Sequence, residues 1–145
     1  MQRKKWLIAV IAVALATVAY FVFGFMRGVS CYNRGAAFMA KGDYDQAIAC
    51  FDKVLAIEPS FAEAYCNRGT AYYEKGRYDA AIADFSTAIE IGPDFAQAYY
   101  NRAVAYYDKV EYEKALQDVQ KAQSLGCRVS PEFLKALKEV LGSRQ

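Results

Sequence analysis

"AEAYCNRGTAYYEKGRYDAAIADFSTAIEIGPDF", residues 62–95, decides how this chain is built. It holds two helical patterns separated by a turn. Tyr65, Arg68-Gly69 and Tyr72 recur at i, i+3/i+4 and i+7, and so do Tyr78, Ala81-Ile82, Phe85 and Ala88-Ile89. That is the spacing of one helix face. Between them, "KGRY" (75–78) places Gly76 where a chain can take the left-handed conformation that ends a helix. "GPD" (92–94) stops the second helix, because Pro93 has no N–H with which to continue it. The stretch predicts a helix hairpin.

The same pattern returns on both sides at an interval of 34 residues. Asn33-Arg34, Asn67-Arg68 and Asn101-Arg102 are in register, as are Tyr44, Tyr78 and Tyr112, Ala47, Ala81 and Ala115, and Phe51, Phe85 and Val119. A fixed period of this size marks stacked units, none of which can bury its apolar face alone. The units run 28–61, 62–95 and 96–129. They are followed by "SPEFLKALKEVLG", where Ser130 suits an N-cap, Pro131 the first helical position and Glu132 the first turn. Phe133, Leu134, Leu137, Val140 and Leu141 form one apolar stripe, so residues 130–145 read as a capping helix and tail.

Over residues 28–129 the chain resembles the tetratricopeptide repeat family. The resemblance implies an all-α fold, an α-solenoid of three helix hairpins. Gly35 and Gly69 stand where that family needs a small residue for close helix contact. Tyr44, Tyr78 and Tyr112 follow the turn, Ala47, Ala81 and Ala115 open the second helix, and Pro59 and Pro93 close the first two repeats. The third repeat departs from the pattern. Ala103 replaces the small glycine, Val110 sits at the turn glycine, and Cys127 takes the place of proline. A β-branched residue is strained at positive φ, so that turn is either rebuilt or strained.

The resemblance also implies a concave groove lined by the first helix of each hairpin. By register the lining is Tyr32, Asn33, Ala36 and Met39, then Cys66, Asn67, Thr70 and Tyr73, then Tyr100, Asn101, Val104 and Tyr107. The expected peptide-binding residues are Tyr32, Asn33, Met39, Asn67, Thr70, Tyr73, Tyr100, Asn101, Val104 and Tyr107. Asn33, Asn67 and Asn101 would form a ladder of amides able to bond an extended backbone, and the tyrosines add apolar area with a polar tip. Glu74 and Asp108 at the rim disfavour acidic peptides. One subtype of the family clamps the carboxylate of chaperone tails with basic residues and asparagines. The matching positions here hold Tyr32, Ala36, Asn67, Gln97 and Asn101, of which only Asn67 fits. The three arginines stand where leucine is usual, and Asp84 and Asp118 recur one period apart. Arg68 and Arg102 are expected to pair with these acids inside the array, whereas repeat one has Cys50 at that position.

Ahead of the repeats, "MQRKK" precedes "WLIAVIAVALATVAYFVFGFM", Trp6 to Met26, 21 residues without a charge. As a helix they span about 32 Å, enough for a hydrocarbon core of roughly 30 Å. A cleaved signal peptide is the rival reading, with Ala14-Leu15-Ala16 as the cutting site. Cutting there leaves "TVAYFVFGFM" as a greasy end, and the run exceeds a signal peptide's usual core. Residues 1–27 are therefore read as a basic start and an uncleaved signal-anchor, in contact with the lipid bilayer through residues 6–26. The basic residues crowd the N-terminal flank, which leans towards a cytoplasmic N-terminus and a translocated repeat domain. The expected location is a single-pass protein of the inner (plasma) membrane with its repeats on the extracytoplasmic side.

Composition narrows the function. From Gly28 onward there are 14 basic and 16 acidic side chains, and no basic block, so a nucleic-acid partner is not expected. Histidine is absent, which removes the usual general base and the commonest metal ligand. Cys31, Cys50, Cys66 and Cys127 show no zinc-type spacing; in an oxidising compartment they could pair in any of three ways. No nucleophile–base pair or phosphate-cradling loop is present. The sequence predicts no enzyme, no cofactor, no metal and no small-molecule substrate. It predicts a membrane-anchored interaction module that binds a protein or peptide partner to recruit or assemble envelope proteins. The alternative is a fixed accessory subunit of a larger membrane complex, such as a secretion, pilus or respiratory assembly.

Overall fold

The structure, a computed structural model, describes residues 2–142. Met1 and tail residues 143–145 lie outside the described residues. So do the side chains of residues 2–5, 7–9 and 25, and with them the basic start at Arg3, Lys4 and Lys5. Among the described residues all regular structure is helical: α1 (Gln2–Ala40), α2 (Tyr44–Ile57), α3 (Ala62–Glu74), α4 (Tyr78–Ile91), α5 (Ala96–Asp108), α6 (Tyr112–Ser124) and α7 (Pro131–Gly142). The C-terminal part of α1 pairs with α2, α3 with α4, and α5 with α6. Each pair then packs on the next, and α7 closes the stack against α6.

The core follows the 34-residue register. Ala47, Ala81, Ala115, Phe51, Phe85 and Val119 are all at most 1% exposed. Each hairpin is closed by the ring or side chain from its second helix lying on a small residue of its first. A Cβ added at Gly35 would stand 2.8 Å from the Phe51 ring, and one at Gly69 would stand 2.8 Å from the Phe85 ring and 3.2 Å from the Ala81 carbonyl oxygen. The third hairpin keeps the Ala103 methyl because Val119, smaller than phenylalanine, occupies the opposite position; both are fully buried in one cluster. The departure at Ala103 is thus matched by a second departure across the seam.

The turns between paired helices share one geometry. Gly42 and Gly76 take φ of 74° and 70°, and Val110 takes 65°. In the second and third repeats the same two bonds close the turn: Gly76 N–H to the Tyr73 carbonyl and Arg77 N–H to the Tyr72 carbonyl, then Val110 N–H to the Tyr107 carbonyl and Glu111 N–H to the Tyr106 carbonyl. The third turn is therefore not rebuilt; stacking holds Val110 in the left-handed region at a cost of about 1–2 kcal/mol. After α6, Gly126 takes φ 86°, one position before Cys127, which stands where the earlier repeats have proline. Ser130 caps α7 by accepting a bond from the Phe133 N–H.

Gly28 does not separate the apolar N-terminal run from the first repeat. α1 passes through it as one helix of 39 residues, with Ile57 of α2 at contact distance. Glycine costs only about 1 kcal/mol within a helix, too little to break one that is held by packing on one side. Up to Met26 the described apolar side chains lie free of the fold: Trp6 is 72% exposed and Phe21 77%. One helix among the described residues is long and apolar enough to cross a membrane, by length and composition, the part of α1 from Val10 to Ala40.

Two stability experiments follow. Val110→Gly removes the left-handed strain at an exposed position, and after the entropy cost of glycine a net gain of roughly 0.5–1 kcal/mol remains, raising Tm by a few degrees. An unchanged or lower Tm would mean that the strain is absorbed elsewhere. Gly69→Ala alone should destabilise by about 1–3 kcal/mol, because the buried Phe85 ring has nowhere to move. Combined with Phe85→Val, which reproduces the third hairpin, the loss should be at least about 1 kcal/mol smaller than the sum of the two single losses in a denaturation cycle.

Candidate functional site

The first helices of the hairpins, the end of α1, α3 and α5, lie side by side. Two sets of polar contacts cross between them and their neighbours. The first lies in the seam of the second and third hairpins. Arg68 donates through Nε to Asp84 Oδ2 and through Nη2 to Asp84 Oδ1, both at 2.7 Å, and through Nη1 to Asp52 of the preceding hairpin at 2.6 Å. Arg102 forks onto Asp118 at 2.7 and 2.8 Å and reaches back to Ser86 at 2.9 Å. A planar guanidinium matches a carboxylate in this two-point geometry. The rings of Tyr65 and Tyr72 flank Arg68, and those of Tyr99 and Tyr106 flank Arg102. Hydrogen bonding to Asp84 and to Asp118 holds each guanidinium above its ordinary pKa, against the opposing effect of burial. The pairing expected from sequence is therefore present in the second and third hairpins. Arg34, which faces Cys50 by register, is exposed.

The second set lies among the residues expected to line the groove. Asn67 donates to the Tyr32 hydroxyl at 2.9 Å. Asn101 donates towards Thr70 Oγ1 at 3.4 Å and Cys66 Sγ at 3.5 Å, and accepts from Gln97 at 2.7 Å. Of the expected ladder of amides, Asn67 and Asn101 each use their Nδ2 group to tie one first helix to the one before it. Asn33 has no preceding hairpin and is exposed. The Thr70 hydroxyl also bonds back to the Cys66 carbonyl at 3.0 Å. Tyr73 donates to Asp108 on the next hairpin at 2.5 Å; desolvation first, then that bond, pushes its pKa above the usual tyrosine range.

The aromatic lining is likewise half committed to packing. Tyr32 lies against Phe51 and Phe61, and Met39 packs on the first hairpin's core. Tyr100 and Tyr107 both meet Phe133 of α7 edge-on, at 6.1 and 5.3 Å between ring centres. Val104 and Thr70 are half-buried, and Ala36 is exposed. The cap thus supplies a wall beside the third step, a role that its sequence did not announce. Burial pushes the Cys66 thiol up to about 11, which leaves it an inert packing group. All four cysteines are free thiols. Sequence reading also missed an outer row of ion pairs, Lys75 with Asp45 and Lys109 with Asp79. The signal was available, since the acids and the lysines each recur at 34 residues.

The electrostatic result is lopsided. On α3 and α5 both cations, Arg68 and Arg102, are spent on buried carboxylates, while Glu63, Glu74 and Asp108 are exposed. Among the described residues no group of three His, Cys, Asp or Glu side chains is placed to hold a metal.

Comparison with known proteins places this geometry. The family described as "TPR repeat" matches residues 35–76 and 69–110, and "Tetratricopeptide repeat" matches 96–125. No curated protein sequence matches the chain significantly. Among solved structures, the first TPR of Spaghetti (RPAP3) bound to the HSP90 peptide SRMEEVD is similar at 22% identity and TM-score 0.77, covering 81% of this chain and 94% of that one. The TPR2B domain of yeast Sti1 in complex with pHsp70 is similar at 26% and 0.73, covering 83% and 99%. The second TPR domain of human RPAP3 in complex with the HSP70 peptide SGPTIEEVD gives 25% and 0.72, covering 81% and 97%.

Arg68→Met tests whether the seam is structural. It strands Asp84, only 6% exposed, and should cost roughly 3 kcal/mol in denaturant melts, most of it recovered in Arg68→Met/Asp84→Leu. An unchanged melt with lost partner binding would assign Arg68 to the binding face instead.

Proposed function

The chain belongs to the tetratricopeptide repeat family, and from that premise we propose that it is a membrane-anchored interaction module. Its groove holds an extended protein segment and so recruits or assembles envelope proteins. The observation that carries the binding half is the half-exposed strip of Tyr73, Thr70, Ala36 and Val104, fixed in place by the bonds of Asn67 and Asn101 between neighbouring first helices. Rigid aromatic and small polar groups suit a peptide that binds without refolding the site. Relatives at 25% and 26% identity are solved with chaperone peptides or a chaperone partner, which supports a protein ligand.

The ligand's chemistry differs from theirs. The clamp positions carry no cation, and α3 and α5 offer exposed acids only. A segment ending in Glu-Glu-Val-Asp would bring its charges against Glu63, Glu74 and Asp108 with nothing to neutralise them. The groove therefore favours a neutral or basic segment.

The anchoring half rests on α1. An apolar helix that the rest of the fold leaves exposed finds its burial in a bilayer, where a helix also satisfies its own backbone. In this reading the chain is a single-pass protein of the inner (plasma) membrane with its repeats on the extracytoplasmic side.

Ala36→Arg/Val104→Arg puts bulk and charge on the first and third steps, away from the buried seam. In affinity purification from solubilised membranes the double variant should lose the wild-type partners, while Glu90→Arg on α4 keeps them and both variants melt within a few degrees of wild type. Identical partner sets in all three would sink the groove reading. One constant stoichiometric partner that survives the groove variant would favour the fixed-subunit alternative. Resistance of the full chain to alkaline carbonate extraction, lost on removal of residues 1–27, checks the anchor.

A further inference from the structure

Where α1 runs past the end of α2, the two helices leave a cleft of about 580 Å³. Its size is that of a small-ligand site. One wall comes from α1, with Tyr20, Phe21 and Phe23 leading to Arg27; the other comes from the last turns of α2, with Lys53 and then Glu58. The three aromatics are 84%, 77% and 66% exposed. Among the described residues neither Arg27 nor Lys53 makes an ion pair. The charges are therefore not explained by contacts within the fold.

We infer that this corner binds a phospholipid headgroup, and that the headgroup is phosphatidylethanolamine. The inference rests on the anchor reading of α1. On that reading the aromatics occupy the level where tyrosine and other rings gather at a membrane surface. Arg27 follows Tyr20 by seven residues, about 10 Å along the helix, which puts its guanidinium among the phosphates. Arg27 and Lys53 take the phosphate from two sides, and the acyl chains run down the face of Tyr20, Phe21 and Phe23.

The choice of headgroup follows from the negative side of the cleft. Glu58 lines it, with one carboxylate oxygen accepting from Ser60 Oγ at 2.5 Å, and so do Ala56 and Ile57 of the last turn of α2, the end of a helix that carries partial negative charge. A headgroup with phosphate alone, or with a second acidic part, leaves that side unmatched, and a hydroxylic part donates hydrogen bonds but brings no positive charge to meet the carboxylate. Choline carries a positive charge but has no N–H to donate. The ammonium of phosphatidylethanolamine donates hydrogen bonds to Glu58 and to the carbonyls while its phosphate meets the cations.

The test uses the full chain in nanodiscs holding equal parts of phosphatidylethanolamine, phosphatidylglycerol and phosphatidylcholine, with retained lipid counted by native mass spectrometry. Wild type should retain phosphatidylethanolamine over phosphatidylcholine by roughly tenfold, the worth of one charge-assisted bond. Glu58→Gln should reduce that preference to near unity while lipid is still retained. Arg27→Gln/Lys53→Gln should lose all three lipids, whereas Arg34→Gln/Lys41→Gln, removing the same charge outside the cleft, should behave as wild type. Preferential retention of phosphatidylglycerol, or equal retention by wild type and the Arg27/Lys53 variant, overturns the proposal. A chain that enters the disc without headgroup preference overturns this site alone; a chain that does not enter overturns the anchor reading with it.

Discussion

A hairpin of two amphipathic helices has more apolar surface than it can cover by itself, and its two helices must first come close enough to share a core. Both demands meet at one crossing point per repeat. At Gly35 under Phe51 and Gly69 under Phe85, the absent Cβ is what admits the ring. Once the ring is in place, Ala47, Ala81 and Ala115 can sit fully buried a turn away. The next hairpin then covers what remains. Remove the close approach and the register of every later contact, from the arginine forks to the asparagine bonds, loses its reference.

This is why so much of the fold was legible. A steric requirement repeated at fixed spacing leaves identical residue types at identical positions, and the sequence displays them openly at Gly69, Tyr78, Ala81 and Phe85. Even the arginine forks could be read, because Asp84 and Asp118 repeat in step with Arg68 and Arg102. What could not be read were relations between dissimilar residues. That Ala103 is tolerated depends on Val119, sixteen positions away, and no single position announces the exchange. That Val110 keeps the left-handed turn depends on stacking around it, which overrides its own preference.

The candidate groove shows the same limit more sharply. Register assigned its residues to one face, yet it could not divide them between binding and holding. Asn67 reaches Tyr32 and Asn101 reaches Thr70, so the polar groups that looked free serve to lock neighbouring helices. Tyr100 and Tyr107 turn towards Phe133. A side chain's position on a helix fixes the direction it leaves the backbone, but its partner depends on the length and chemistry of whatever lies opposite. A locked floor also has an advantage for recognition. Less side-chain entropy remains to be lost when a segment binds.

On the proposed function, continuity of α1 bears on where such a segment lies. The helix that carries the apolar run also carries the first step of the array, without a hinge at Gly28. With α1 as the anchor, Asn33 stands seven residues beyond Met26, about 10 Å along the helix, and Met39 about 20 Å. No flexible linker lets the groove swing away from the surface. On that anchoring, a partner held at the first step presents its segment within about four helical turns of the bilayer, either from its own juxtamembrane stretch or as an extended strand lying over the headgroups. The cap at α7 closes the far end of the stack against α6; on the proposed anchoring the repeats then read outward from the membrane, and the bilayer covers the near end.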